Sequence, residues 1–127
     1  MGSNLPRRAE DWLGAFVSRL NAGDLAGVAE LYAQDARFVA PTGETLVGRE
    51  AIREVLAELI AARAEMACEV VRAIEVGDVA ILYTDFTGHR RDAAGQLTPM
   101  SSRAIEVLRR EPDGGWRLIV GDPNGRG

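Results

Sequence analysis

The sequence predicts an α+β domain, with three N-terminal helices packed on a strongly curved antiparallel sheet. Two patterns carry this. Apolar residues recur at three- and four-residue steps as far as Arg63, then alternate from Met66 onward. Turn signals at Gly77-Asp78 and at Glu111–Gly115 divide that second half into long strands. At 127 residues the chain is the size of one domain. Residues 7–124 are assigned to that domain, 125–127 to a tail, and 1–6 to a disordered N-terminus or an expression scar.

Each element has its own signal. Ala9, Trp12, Leu13, Phe16, Val17 and Leu20 form one stripe of a first helix over Arg7–Asn21, with Gly23 as its stop. Asp24 is placed to cap a second helix carrying Leu25, Val28, Leu31 and Tyr32 and ending near Asp35. A short strand over Arg37–Ala40 is halted by Pro41-Thr42-Gly43. Ile52, Val55, Leu56, Leu59 and Ile60 share one face of a third helix running from Gly48 to Arg63. Alternation then predicts strands over Met66–Val76, Val79–Thr87, Leu97–Arg110 and Trp116–Val120, with a loop at Gly88–Gly95. A curved sheet over helices leaves a concavity, and there a pocket is expected.

Composition excludes several chemistries. Hydrophobic residues are 46% and charged residues 27%, the balance of a globular domain. The net charge of -4 argues against a nucleic-acid partner, and no apolar run is long enough for a membrane span or a signal segment, so a cytoplasmic domain is expected. All 15 basic residues are Arg, which removes Schiff-base, pyridoxal-phosphate and Walker A chemistry. One Cys (Cys68) and one His (His89) speak against a disulfide, a metal cluster or a hydrolase triad. No cofactor and no metal are expected. Carboxylates, arginines, tyrosines and water remain.

Phe16-Val-Ser-Arg-Leu-Asn-Ala-Gly-Asp-Leu25, Glu30-Leu-Tyr-Ala-Gln-Asp-Ala-Arg-Phe38, Pro41-Thr-Gly43 and Gly48-Arg-Glu-Ala-Ile52 resemble the NTF2-like superfamily. The nearest branch is its SnoaL-like and ketosteroid-isomerase-like domains, which Val76–Ala80 and Arg109–Trp116 also resemble. The resemblance implies a cone-shaped, cystatin-like α+β fold, a pocket between the first helix and the sheet, and a homodimer. It does not carry the isomerase residues: the tyrosine donor falls on Phe16, the aspartate base on Ala40 and the protonated aspartic acid near Ala104 or Ile105. The chain is therefore not a ketosteroid isomerase by that mechanism. Function does not follow from this fold.

Matching the hairpin to the isomerase-like family turns Val79, Ile81, Tyr83, Asp85 and Thr87 toward the cavity. Asp85 is then the leading acid–base candidate. Arg103 beside it would keep it ionised, whereas Glu106 beside it would raise one of the two pKa values. Arg103 is preferred. Tyr83 completes the catalytic set, with a half-buried strand aromatic as its alternative, and a solvated or dimer-contact carboxylate as that for Asp85. Trp12 and Phe16 form either an aromatic wall for an apolar ligand or plain core. Tyr32 at the cavity mouth, Thr87, and His89 at the rim complete the substrate-binding candidates. Asp24 reads as a cap, Asp35 as a turn residue, Asp122 as lying after the last strand and Cys68 as an inert buried thiol. Leu82, Phe86 and Leu108 are expected to face outward toward a second copy. Two functions fit: a cofactor-independent isomerase, cyclase or dehydratase acting on a small hydrophobic molecule, or a non-catalytic ligand-binding or dimerisation module.

Overall fold

The computed structural model describes residues 4–127; the expectation for residues 1–3 lies outside the described residues. A 3-10 turn, Ala9–Asp11, leads into α1 (Trp12–Asn21), followed by α2 (Leu25–Ala29), β1 (Tyr32–Val39), β2 (Thr45–Val47) and α3 (Arg49–Ala61). Four long strands complete the chain: β3 (Glu65–Val76), β4 (Val79–Arg91), β5 (Leu97–Arg110) and β6 (Trp116–Asp122). With β1 and β2 they form one curved six-stranded sheet in the order β2-β1-β6-β5-β4-β3. The sheet was expected to be antiparallel throughout; instead β1 and β6 run parallel, and the sheet is mixed.

The helices form where the stripes are. Trp12, Leu13, Phe16 and Leu20 are the buried positions of α1. The Asp24 carboxylate accepts a hydrogen bond from the Gly27 amide at 2.9 Å, capping α2 as its position in the sequence implied. That helix does not run to Asp35. The Leu31 carbonyl is taken by the Leu118 amide at 2.8 Å and by the Trp12 indole at 3.0 Å, so no helical bond is left for it. The chain turns extended instead, and Tyr32 and Asp35 become residues of β1. Leu5 is buried in the core and the Pro6 carbonyl accepts from the Trp116 amide at 3.0 Å, so the fold begins before residue 7. At the other end Asp122 lies within β6 rather than after it.

Strand β4 passes through Gly88 to Arg91, where a loop was expected. Gly88 pairs with Met66, and a Cβ there would stand 2.1 Å from the Glu65 carbonyl oxygen. A backbone atom cannot yield as a side chain can, so Gly88→Ala is expected to lower stability by roughly 2–4 kcal/mol. Urea denaturation checks this. The loop proper is shorter, and Asp92 braces it by accepting from the Ala94 and Gln96 amides.

One core lies between the helices and the sheet. On β4 and β5 the even-numbered positions Ala80, Leu82, Thr84, Phe86, Ala104, Glu106 and Leu108 are buried in it. The odd positions face away from the helices. There Ile74, Ile81, Val107 and Val120 form a cross-strand row over four strands. Leu82, Phe86 and Leu108 are thus inside, correcting their outward assignment. β5 also outruns β6: their ladder starts at Ile105 and the Arg126 amide donates to the Arg103 carbonyl at 3.1 Å, so Leu97–Ser102 is paired on its β4 side only. No helix among the described residues is long and apolar enough to cross a membrane.

Candidate functional site

Glu106 lies on the inward face of β5, in a cross-strand row Leu82–Glu106–Gly121–Phe38 that spans β4, β5, β6 and β1. It and Thr84 are the buried polar residues among those described. The Thr84 hydroxyl donates to Glu106 Oε1 across 3.4 Å, a long bond that constrains the acid weakly. Burial pushes the Glu106 carboxyl up to about 8; the Thr84 bond works against that rise and the negative charge of Asp122 adds to it. Burial, and then Glu106 itself, raise the Tyr32 phenol well above its ordinary value and the Cys68 thiol to about 11. At neutral pH this interior holds a carboxylic acid, flanked by a phenol and a thiol that keep their protons.

The surroundings are aromatic. Trp12 stacks on Phe16 at 5.5 Å between ring centroids, Tyr32 meets both edge-on at 5.8 and 6.4 Å, and Phe86 meets Phe16 edge-on at 6.0 Å. Gly121 lets the acid and the Phe38 ring pack close against the β6 backbone: a Cβ there would be crowded, 3.3 Å from Glu106 Oε2 and 3.3 Å from Phe38 Cδ1. Glycine inside a strand is one way to let another group approach the backbone closely. Phe16, Phe86 and Glu106 each retain 7% exposure, whereas Trp12, Leu82, Thr84 and Ala104 retain 0–1%.

The residues expected from the sequence divide between the two faces. Asp85 stands opposite Arg103 in the β4–β5 ladder, and Tyr83 and Thr87 share their face, but that face looks away from the helices. The inward parity expected for this strand is therefore corrected: burying Ala80, Leu82, Thr84 and Phe86 hides no charge, whereas the other set would bury Asp85. The void expected along Tyr83–Thr87 is accordingly absent from that stretch. Asp85 accepts from Arg126 Nη2 at 2.5 Å. The same guanidinium donates to the Thr84 and Ala104 carbonyls and lies 5.8 Å over the Tyr83 ring, so the last residues are fastened across β4 and β5. His89 belongs to β4 rather than to a rim loop, with Nε2 3.6 Å from a Glu65 carboxylate oxygen. Tyr32 is not at a mouth; it is 3% exposed, within the aromatic cluster beside Trp12 and Phe16. Asp35 is no turn residue: Arg109 donates to it at 3.2 Å, which lowers its pKa. Among the described residues no three His, Cys, Asp or Glu side chains are arranged to hold a metal ion.

The SnoaL-like domain model matches residues 13–119. The chain belongs to the SnoaL-like family. No curated protein matches it. Among solved structures, this SnoaL-like domain is similar to a ketosteroid isomerase-like protein from Erwinia carotovora atroseptica, at 22% identity and a TM-score of 0.78 over 89% of each chain. It is also similar to an NTF2-like protein with a cystatin-like fold from Novosphingobium aromaticivorans, at 20% identity and a TM-score of 0.72, covering 89% of this chain and 76% of that one. A third likeness is to a proposed calcium/calmodulin-dependent protein kinase type II association domain from Thiobacillus denitrificans, at 23% identity and a TM-score of 0.76, covering 95% and 98%. At such identities these likenesses carry the NTF2-like, cystatin-like fold alone.

Glu106 was weighed in the sequence only as a neighbour of Asp85. The signal that singles it out is its parity: Ala104, Glu106 and Leu108 alternate with Arg103, Ile105, Val107 and Arg109. A lone acid between two apolar residues of one parity is either outside with them or buried with them. Deciding which requires the partner strand.

Proposed function

We propose that this SnoaL-like domain is a cofactor-independent acid–base enzyme acting on a small, largely apolar molecule, with Glu106 as its proton-carrying residue. The observation behind this reading is a buried carboxyl held in its acid form against the Gly121 backbone and beside an aromatic cluster. Such an acid donates its proton to a substrate oxygen as negative charge builds there, and takes a proton back when the product forms. Isomerisation, cyclisation and loss or addition of water all use that step. Trp12, Phe16, Tyr32 and Phe86 shape the apolar side, and the Thr84 hydroxyl is the polar group beside Oε1. The outward set Asp85, Arg103 and Tyr83 is assigned to anchoring the C-terminal segment through Arg126 instead.

Turnover of a panel of enones, β-hydroxy ketones and polyketide-like aldols tests the proposal. For any compound turned over, Glu106→Gln is expected to slow the reaction about 100-fold or more. The rate of the wild type is expected to fall as pH rises through about 8, where the acid loses its proton. Equal rates in the variant would remove Glu106 from the chemistry.

A second reading, self-association, is favoured by the outer sheet face. Ile74, Ile81, Val107 and Val120 cross four strands there, and Val76 and Val79 extend the apolar strip at 75% and 43% exposure. Asp85 and Glu69 on one side of the row and Arg72 and Arg103 near them give a second copy related by a two-fold axis charges of both signs to meet. Sedimentation of Ile81→Asp against the wild type tests it; a wild type that stays monomeric at all concentrations overturns it.

A further inference from the structure

Away from Glu106, at the β3–β4 hairpin end of the domain, a cleft of about 400 Å³ opens between the N-terminal segment and the sheet. Ala9, Ala73, Ala80 and Trp116 line it together with Arg7, Arg8 and Arg110; Ala73 is the exposed apolar residue, while Ala9, Ala80 and Trp116 form a floor that belongs to the core. We infer that this cleft is a second binding site, for a small organic oxyanion (a carboxylate or a phosphate monoester) whose apolar body rests on Ala73 and this floor.

The placement of the arginines supports this. Arg7 Nη2 donates to the Asp113 carbonyl at 2.6 Å, and a Cβ on Gly114, whose φ is +89°, would stand 2.8 Å from that nitrogen. A Cβ on Gly115 would reach within 2.6 Å of Leu5. The Gly114-Gly115 pair therefore does more than turn the chain: it lets the N-terminal segment lie close and brings Arg7 to the cleft. From β5, Arg110 donates through Nε at 2.9 Å and Nη2 at 2.6 Å to Asp78 and lies 5.8 Å over the Trp116 ring. Two guanidiniums are thus anchored before any ligand arrives, each with further N–H groups, and little freedom is lost on binding. Arg8 is paired with Glu10 at the rim. Three guanidiniums face three carboxylates, Glu10, Glu75 and the Asp78 bonded to Arg110, so what an anion meets is the N–H groups that Arg7 and Arg110 leave free rather than an excess of positive charge. Glu75, on the β3 wall, directs an anion toward the Arg7–Arg110 side. Guanidinium forks match planar or tetrahedral oxyanions, and Ala73 with the floor beside it suits an apolar tail.

The test uses the full chain, labelled with 15N and titrated with phenyl phosphate, 3-phenylpropionate and the neutral 3-phenylpropanol. Saturable shifts are expected at the Trp116 indole and the Gly114 and Gly115 amides with at least one anion, while the Gly121 amide beside Glu106 stays in place. Arg7→Gln and Arg110→Gln are each expected to weaken binding about tenfold. The Arg7 side chain is exposed between the buried Leu5 and Ala9, so its variant reads the site without removing a core side chain. Binding of phenyl phosphate alone assigns a phosphate monoester, and binding of 3-phenylpropionate alone a carboxylate; either supports the site. No saturable shift, equal binding of the alcohol, or unchanged affinity in both variants overturns it.

Discussion

Glu106→Gln is expected to remove a steep fall in stability between about pH 4.5 and pH 8. In the unfolded chain this carboxyl ionises near 4.5, whereas in the fold it holds its proton to about 8. Between those values the folded state binds one proton more, so stability declines as pH rises, by about 1.4 kcal/mol per pH unit, and levels off above pH 8. The full span is on the order of 4–5 kcal/mol, a Tm change of more than about 10 °C for a domain of this size. The glutamine variant cannot ionise. Its melting curve is expected to lie well above that of the wild type at pH 8 and close to it at pH 4. Parallel thermal melts across that range decide it: if both proteins lose stability with the same slope, Glu106 is ionised in the fold and the reading of the site fails with it.

Trp12→Ala is expected to cost roughly 3–5 kcal/mol, among the largest losses any single truncation in this core would cause. The side chain is 1% exposed, stacks on Phe16, meets the Tyr32 edge and donates its indole N–H to the Leu31 carbonyl. Trp12→Phe keeps most of the packing and loses only the hydrogen bond, so about 1–2 kcal/mol is expected there. The Leu31 carbonyl still receives the Leu118 amide, which limits the penalty. Urea denaturation of the two variants separates packing from hydrogen bonding. Similar losses in both would mean that the indole bond, not the ring stack, carries the stability.

Where one period runs unbroken, the sequence is legible. The stripe from Trp12 to Leu20, the Asp24 cap, the Gly77 hairpin and both ends of β5 can be read directly from residue spacing. Tyr32–Asp35 was misread because its continuation as helix or strand turns on the Leu31 carbonyl, whose partners lie 19 and 87 residues away in the chain. β2 is only three residues long, too short to show a period. The face of β4 was taken from a family likeness; its own residues said otherwise, since the set containing Asp85 is the one that water can satisfy. The acid at Glu106 was harder to find. Its burial depends on Leu82, Gly121 and Phe38 arriving on three other strands, and no local pattern announces such a row.

The half of β5 that outruns β6 bears on behaviour in concentrated solution. A bare strand margin is a template on which another chain can grow by main-chain bonding, the route by which fibrils start. Pro99 sits in the middle of that margin, opposite His89, and brings no amide hydrogen. Since the β4 ladder runs on past it, the donor it lacks belongs to the open side. Any incoming strand meets a gap there, so this protein carries a guard against polymerisation along the margin that β6 leaves uncovered.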